Sequence, residues 1–152
     1  MIEDGNWLIF VVNQLVLVPT MAKTMAGFYM GIEPVEVAPV DDRTSVVQAI
    51  LRVVRRGNPR VPTPPGGPKF PKSPLLKYAG LKSRSSLDRI AKTWNLSKRE
   101  GAYLIVPYRP RADSGSEEDT ERGEAMPASV PLETVVDRLV RRALAKPGDT
   151  PK

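Results

Sequence analysis

The sequence predicts one compact α+β domain, in which a mainly antiparallel sheet of about four to five strands packs with three helices and carries a long proline-rich loop. Three observations lead to this fold class. Short runs rich in β-branched and aromatic side chains fill the first forty residues. Three later segments repeat apolar residues at helical spacing. The length of 152 residues suits a single ordinary domain.

The first strands are predicted at residues 7–12 and 15–18. Asn13-Gln14 lies between them and predicts a tight turn, although no glycine is present. Because both runs are almost continuously hydrophobic, we expect the sheet to be buried on both faces. Further strand is predicted at residues 20–26, 27–30, 35–37 and 102–108.

The first predicted helix covers residues 43–56. Its candidate N-cap residues are Asp41, Asp42 and Thr44, and Gly57 is a fitting end. The two aspartates would also suit a hard cation, but their position favours capping. The other two helices are predicted at 85–94 and 131–145 from apolar residues that recur on one face.

Trp94 closes the apolar stripe of the second predicted helix, after Leu87, Ile90 and Ala91. This position predicts that the Trp94 ring is buried in the core and does not stack on nucleic-acid bases. Trp7 is open to either interpretation, because it begins a strand. Ser85 and Asp88 have the spacing of a capping box at the start of this helix.

The chain divides into four predicted regions. Residues 112–120 contain no large apolar side chain, which is typical of a flexible acidic linker. The regions are an α+β core at 1–111 that includes a proline-rich arm at 57–74, the linker at 112–129, an amphipathic helix docked on the core at 130–146, and a tail at 147–152.

The arm carries prolines at a spacing of three, namely Pro59, Pro62, Pro65, Pro68, Pro71 and Pro74. A polyproline II helix has about three residues per turn, so this period predicts an extended segment, loosened at Gly66-Gly67. Proline lacks an N–H group, which excludes a helix or an inner strand here. We expect the arm to be a surface segment that either braces the domain or contacts a partner; the alternative is an ordered connector without a partner.

The composition makes an enzyme the least supported class. The chain has no Cys and no His, so it lacks thiolate metal ligands and the most common general base. It has neither a Walker A loop nor a Gly-x-Gly-x-x-Gly fingerprint. We therefore predict no catalytic residues, no metal, no cofactor and no small-molecule substrate.

The same composition bears on the compartment. Cysteine-free chains are compatible with a reducing cytoplasm. No stretch reaches the roughly 18 apolar residues of a membrane span. We expect a cytoplasmic protein without a membrane partner.

Charge is distributed unevenly along the chain. Residues 52–111 hold 15 basic side chains against only Asp88 and Glu100, although the net charge of the whole chain is +6. Such a basic centre fits single-stranded nucleic acid, an acidic protein surface, or simply a solvated basic face. The candidate partner-binding residues are Arg55, Arg56, Arg60, Lys69, Phe70, Lys72, Lys77, Tyr78, Lys82 and Arg84.

Several short phrases between residues 6 and 108 resemble immunity proteins of bacterial contact-dependent growth inhibition systems. They are Trp7 at the start of the first strand pair, Pro19-Thr20 with Ala22 and Thr24, Gly27-Phe28-Tyr29, Ile32-Glu33-Pro34-Val35, Gly57-Asn58-Pro59, Ser73-Pro74-Leu75-Leu76, Ala79-Gly80-Leu81-Lys82-Ser83, and the predicted helix that ends at Trp94.

The resemblance implies a cytoplasmic protein that binds the toxic C-terminal domain of a delivered effector, often a nuclease, in a one-to-one complex without catalysis or a cofactor. An inhibitor of a basic nuclease is expected to be acidic, whereas this core is basic. Either the contact face of the toxin is acidic, or contact comes through acidic parts such as residues 117–119. The alternative function is a nucleic-acid-binding accessory domain that uses residues 52–111.

Overall fold

An eight-stranded sheet forms the centre of the protein in a computed structural model that describes residues 3–111 and 115–145. The strands are β1 Gly5–Val12, β2 Leu15–Thr24, β3 Tyr29–Pro39, β4 Arg60–Val61, β5 Lys92–Arg99, β6 Ala102–Pro110, β7 Ser116–Glu118 and β8 Glu124–Pro127. The helices are α1 Arg43–Arg56, α2 Leu75–Ala79, α3 Arg84–Ile90 and α4 Leu132–Ala143. The α+β class is confirmed, but the described residues hold more strands and helices than the sequence predicts.

The strand order in the sheet is β3-β2-β1-β5-β6-β7. β8 also pairs with β6, and β4 joins β2 as a parallel pair. The remaining pairs are antiparallel. The extra strands are short and lie beside the long ones, where main-chain hydrogen bonds can hold segments with few apolar side chains.

The central strands are buried on both faces, as their continuous hydrophobicity predicts. Ile9 and Val18 pack with α1 and α4 in one core cluster. Phe10 and Leu17 point to the opposite face and pack with α2 and α3 in a second cluster. Successive strand residues alternate between faces, so each central strand contributes to both clusters. The sheet therefore lies between two unequal layers of helix.

Three local predictions are confirmed in the first 57 residues. Asn13 and Gln14 have φ of 52° and 65°, the left-handed geometry that a two-residue hairpin turn requires, and they join β1 to β2 without glycine. The Asp42 side chain caps α1 by accepting a hydrogen bond from the Ser45 amide at 3.1 Å. Helix α1 then ends at Gly57, whose φ is 76°.

The helix predicted at 85–94 is partly wrong. Helix α3 ends at Ile90, and Trp94 lies in β5, paired with Ile9 on one side and Pro107 on the other. The apolar spacing also suits a strand, because Trp94 and Leu96 alternate into the core. Trp94 is nonetheless a core residue, and the Arg142 guanidinium lies 4.9 Å from its ring centroid.

The segment predicted as an acidic linker instead supplies β7 and β8. Both strands pair with β6, through Tyr108↔Glu118 and Leu104↔Ala125. Arg138 and Arg142 of α4 hold Glu124 of β8 at 2.9 and 3.4 Å. Residues 112–114 of the predicted linker lie outside the described residues, as do residue 146 and the predicted tail at 147–152.

Helix α2 is absent from the sequence predictions. It spans one and a half turns after the last proline of the arm, too short for a clear periodic pattern. Leu75, Leu76 and Ala79 are buried in the second core cluster. Helix α4 packs against α1 through Val135, Val136 and Leu139.

Asn58 connects the two central strands where their own pairing has ended. The β1–β2 register extends from Val12↔Leu15 to Phe10↔Leu17. Farther along, the Asn58 Nδ2 atom donates to the carbonyl oxygens of Asn6 at 2.9 Å and Met21 at 2.8 Å. Its Oδ1 atom accepts from the Asn6 amide at 3.0 Å.

Replacing Asn58 tests this connection. We expect Asn58→Ala to lower the free energy of unfolding by about 1–3 kcal/mol, because it leaves partly buried backbone groups without partners. Urea denaturation of the variant measures the loss. Gln48→Ala, at an exposed position on α1, is the matched control and should change stability by less than about 0.5 kcal/mol. Equal stability of the two variants would contradict the role given to Asn58.

Candidate partner-binding groove

A groove of about 680 Å³ opens on the sheet face opposite α1 and α4. Leu8 and Phe10 of β1 and Pro19 and Met21 of β2 lie at its base. Three segments form its sides, namely residues 28–33, residues 70–76 and residues 82–84. Most of the lining is apolar, and the volume is within the range of ligand and peptide sites.

Exposed apolar side chains lie at one end of the groove. Phe28 and Phe70 are 41% and 43% exposed, and their ring centroids are 6.4 Å apart. Met25, on the same β2–β3 connection as Phe28, is 75% exposed. Exposed apolar residues that cluster beside a concave surface are typical of an interaction site.

Hydrogen bonds hold the proline-rich arm against the β2–β3 hairpin. The Lys23 amide donates to the Pro59 carbonyl at 2.9 Å, and the Met25 amide to that of Val61 at 3.1 Å. The Ala26 amide donates to Thr63 Oγ1 at 2.8 Å. The arm thus braces the domain, and it contains the short strand β4 and a 3-10 turn at Gly67–Lys69 rather than one continuous extended helix.

Three cations and one carboxylate are among the lining residues, namely Lys72, Lys82, Arg84 and Glu33. Arg84 pairs with Asp88 at 3.1 Å. Lys72 and Lys82 are exposed and make no ion pair with any residue that the structure describes. The charge at this side of the groove is therefore positive and only partly compensated.

Glu33 is already engaged within the protein. Its Oε2 atom lies 2.6 Å from Lys77 Nζ, and its Oε1 atom accepts from the Tyr78 hydroxyl at 3.0 Å and the Val35 amide at 3.2 Å. The hydrogen bond from Lys77, with a smaller one from Tyr78, holds the pKa of Glu33 below its ordinary value. These contacts join α2 to the edge strand β3.

The ten predicted partner-binding residues do not form one surface. Phe70, Lys72, Lys82 and Arg84 line the groove, while Lys77 and Tyr78 contact its carboxylate. Lys69 precedes Phe70 in the chain, and Arg60 is exposed on β4.

The remaining two residues lie on α1, beyond the other face of the sheet. Arg55 pairs with Glu133 of α4 at 2.8 Å. Arg56 pairs with Glu36 of β3 at 2.6 Å and donates to Thr20 Oγ1 at 3.1 Å. Both arginines therefore hold elements of the fold together.

Part of the positive charge of residues 52–111 is neutralised by acidic side chains from other segments of the fold. Of the 15 basic residues at 52–111, six pair with acidic side chains outside that segment among the described residues. They are Arg52, Arg55, Arg56, Lys77, Lys98 and Arg109, and their partners are Glu36, Glu133, Glu33, Asp4, Glu117 and Asp119.

The described residues contain no helix that is both long enough and apolar enough to cross a membrane. Within residues 3–111 and 115–145, no three Asp, Glu, His or Cys side chains come together as a metal site requires. The groove itself combines apolar area, aromatic rings and lysines. Such a surface is suited to binding through burial and charge.

The fold has solved counterparts, whereas no family model and no curated protein matches the sequence. A protein of unknown function from Neisseria meningitidis is similar with a TM-score of 0.64 and 14% identity, over 95% of each chain. A chain of the CdiA-CT/CdiI toxin and immunity complex from Yersinia pseudotuberculosis is similar with a TM-score of 0.63 and 12% identity, over 93% of this chain and 96% of that one. At these identities the likeness concerns the fold.

The lowered pKa of Glu33 predicts a pH dependence of stability. Its ion pair stabilises the fold fully above the ordinary carboxyl pKa near 4.5, and this contribution is lost as the pH falls through the lower folded pKa. Urea denaturation of the wild type and of Glu33→Gln over a pH series measures the effect. The stability difference between them should be largest near neutral pH and shrink under acid conditions.

Glu121→Gln is the control, since Glu121 is exposed and makes no ion pair with a described residue. Its difference from the wild type should change less with pH than that of Glu33→Gln. A difference for Glu33→Gln that stays constant down to acid pH would show that the carboxylate charge contributes nothing to this contact.

Proposed function

We propose that this chain is an immunity protein, which binds the C-terminal toxin domain of a contact-dependent growth inhibition effector and neutralises it in a one-to-one complex. The observation that carries the proposal is the fold likeness to a chain of the CdiA-CT/CdiI toxin and immunity complex, which extends over 93% of this chain. The short phrases at residues 6–108 resemble proteins of the same kind, although no family model matches the sequence. The toxin is proposed to be a nuclease, as is frequent in such systems.

The proposed contact surface is the groove together with the exposed residues around it. Phe28 and Phe70 offer apolar area at one end, and Lys72 and Lys82 offer charge at the side. Buried aromatic anchors usually supply most of the affinity of a protein interface, while rim charges set association rate and specificity. A binding protein of this kind works by occupying a surface of the toxin and needs no catalytic group.

The alternative function is binding of nucleic acid through the basic segment at 52–111. Six of these basic residues pair with carboxylates elsewhere in the described part of the fold, which reduces the charge available for phosphates. Counterion release would make such binding fall steeply with salt concentration. A salt series with a labelled single-stranded oligonucleotide therefore separates specific nucleic-acid binding from weak general attraction.

Co-expression tests the proposed function directly. The C-terminal part of the effector encoded immediately upstream, about one or two domains long, is expressed with and without this chain, and surviving cells are counted. We expect the fragment alone to stop growth and this chain to restore it. The purified pair should then elute as a one-to-one complex in size-exclusion chromatography with light scattering.

A toxin fragment from an unrelated effector is the control, and this chain should not protect against it. A cognate fragment that kills equally with and without this chain would overturn the immunity role. Tight, salt-dependent binding of the oligonucleotide in that case would favour the alternative function.

A further inference from the structure

The charge around the groove is not balanced by the protein itself. Glu33 is its only carboxylate among the lining residues, and Lys77 and Tyr78 already contact that group. Lys72 and Lys82 lie beside apolar lining and have no ion-pair partner among the described residues. Burial of a partner's apolar side chain in the groove would remove water from these ammonium groups, which strengthens their attraction to an opposite charge.

We infer that the groove takes an acidic segment of a protein partner, in which an apolar or aromatic side chain is flanked by Asp or Glu. The apolar side chain packs between the base of the groove and the Phe28 and Phe70 rings, and the carboxylates pair with Lys72 and Lys82. The inference depends on the proposed function only in naming a toxin as the partner. The binding chemistry of the groove can be tested without knowing that partner.

Two features favour a protein segment over nucleic acid. Nine of the twenty lining residues are aliphatic, methionine or proline, and these side chains fit another protein's side chains better than stacked bases. The Phe28 and Phe70 rings already lie against each other, with centroids 6.4 Å apart, which leaves less ring face for a base. Elsewhere in this fold the same basic segment is compensated by carboxylates, such as Glu36 and Glu133.

An acidic partner segment would also explain why a proposed nuclease inhibitor has a basic rather than an acidic core. If the partner contributes an acidic segment, the basic groove becomes the complementary surface. Nucleases need positive charge where they hold a polyanionic substrate. An acidic docking segment would therefore lie beside, and not within, the substrate surface of a nuclease toxin.

The test uses two fluorescein-labelled peptides and the full chain. In the first peptide a central Phe-Leu pair is flanked on each side by Asp and Glu, and in the second every acidic residue is replaced by Lys. Fluorescence anisotropy measures binding at low and moderate salt. We expect the acidic peptide to bind, its affinity to fall with salt, and the Lys peptide to bind at least about tenfold more weakly.

The variant Lys72→Glu/Lys82→Glu should lose at least about tenfold of the affinity for the acidic peptide. The matched control is Lys92→Glu/Arg99→Glu, which changes the net charge equally at two exposed positions outside the groove. The control should stay within about twofold of the wild type, because distant surface charges are screened by salt. Circular dichroism and thermal unfolding check that both variants are folded.

Three results of the binding measurements would overturn the inference. The first is absence of acidic-peptide binding. The second is an equal loss of affinity in the groove variant and in its control. The third is preferential binding of a short oligothymidylate with the same dependence on Lys72 and Lys82.

Co-expression distinguishes a failure of the groove inference from a failure of the immunity role. If the wild type and Lys72→Glu/Lys82→Glu both restore growth equally, the immunity role stands and the groove inference fails. If the acidic peptide binds as expected but growth is not restored, the groove chemistry stands without the immunity role.

Discussion

The burial of both faces of the central hairpin is the constraint on which this structure depends. Residues 7–12 of β1 and 15–19 of β2 are all apolar, so each face of the sheet needs its own apolar cover there. The long helices α1 and α4 pack on one face. The other face is covered by two short helices together with the proline-rich arm, and this smaller cover leaves the groove beside it. The candidate site thus exists because one layer is smaller than the other.

Basic side chains have two roles in this protein, and the sequence alone does not separate them. Arg55, Arg56 and Lys77 bind acidic groups of distant elements and so connect α1 to α4 and β3, and α2 to β3. Pairs at such exposed positions contribute modestly to stability, but they hold the layers in one arrangement. Lys72 and Lys82, in contrast, remain uncompensated among the described residues and are the positions where a partner's charge would matter.

Four of the twenty residues that line the candidate site could be predicted from the sequence. Phe70, Lys72, Lys82 and Arg84 lie in one proline- and lysine-rich stretch, where an aromatic residue among basic ones is visible without a structure. Phe28 and Glu33 were missed as site residues because they belong to a predicted strand region far away in the chain. They reach the groove only because the arm is hydrogen-bonded along the β2–β3 hairpin. No local pattern encodes that contact.

The sequence by itself determined the elements whose signals are local. The Asn13-Gln14 turn, the Asp42 cap and the Gly57 end of α1 each depend on a few neighbouring residues, and all three are present. Tertiary structure alone decided that Trp94 lies in a strand and that residues 116–118 and 124–127 join the sheet. The apolar spacing around Trp94 fits a helix and a strand alike, so pairing with β1 and β6 makes the choice. The acidic strands have little apolar surface to reveal them, because backbone hydrogen bonds to β6 hold them in place.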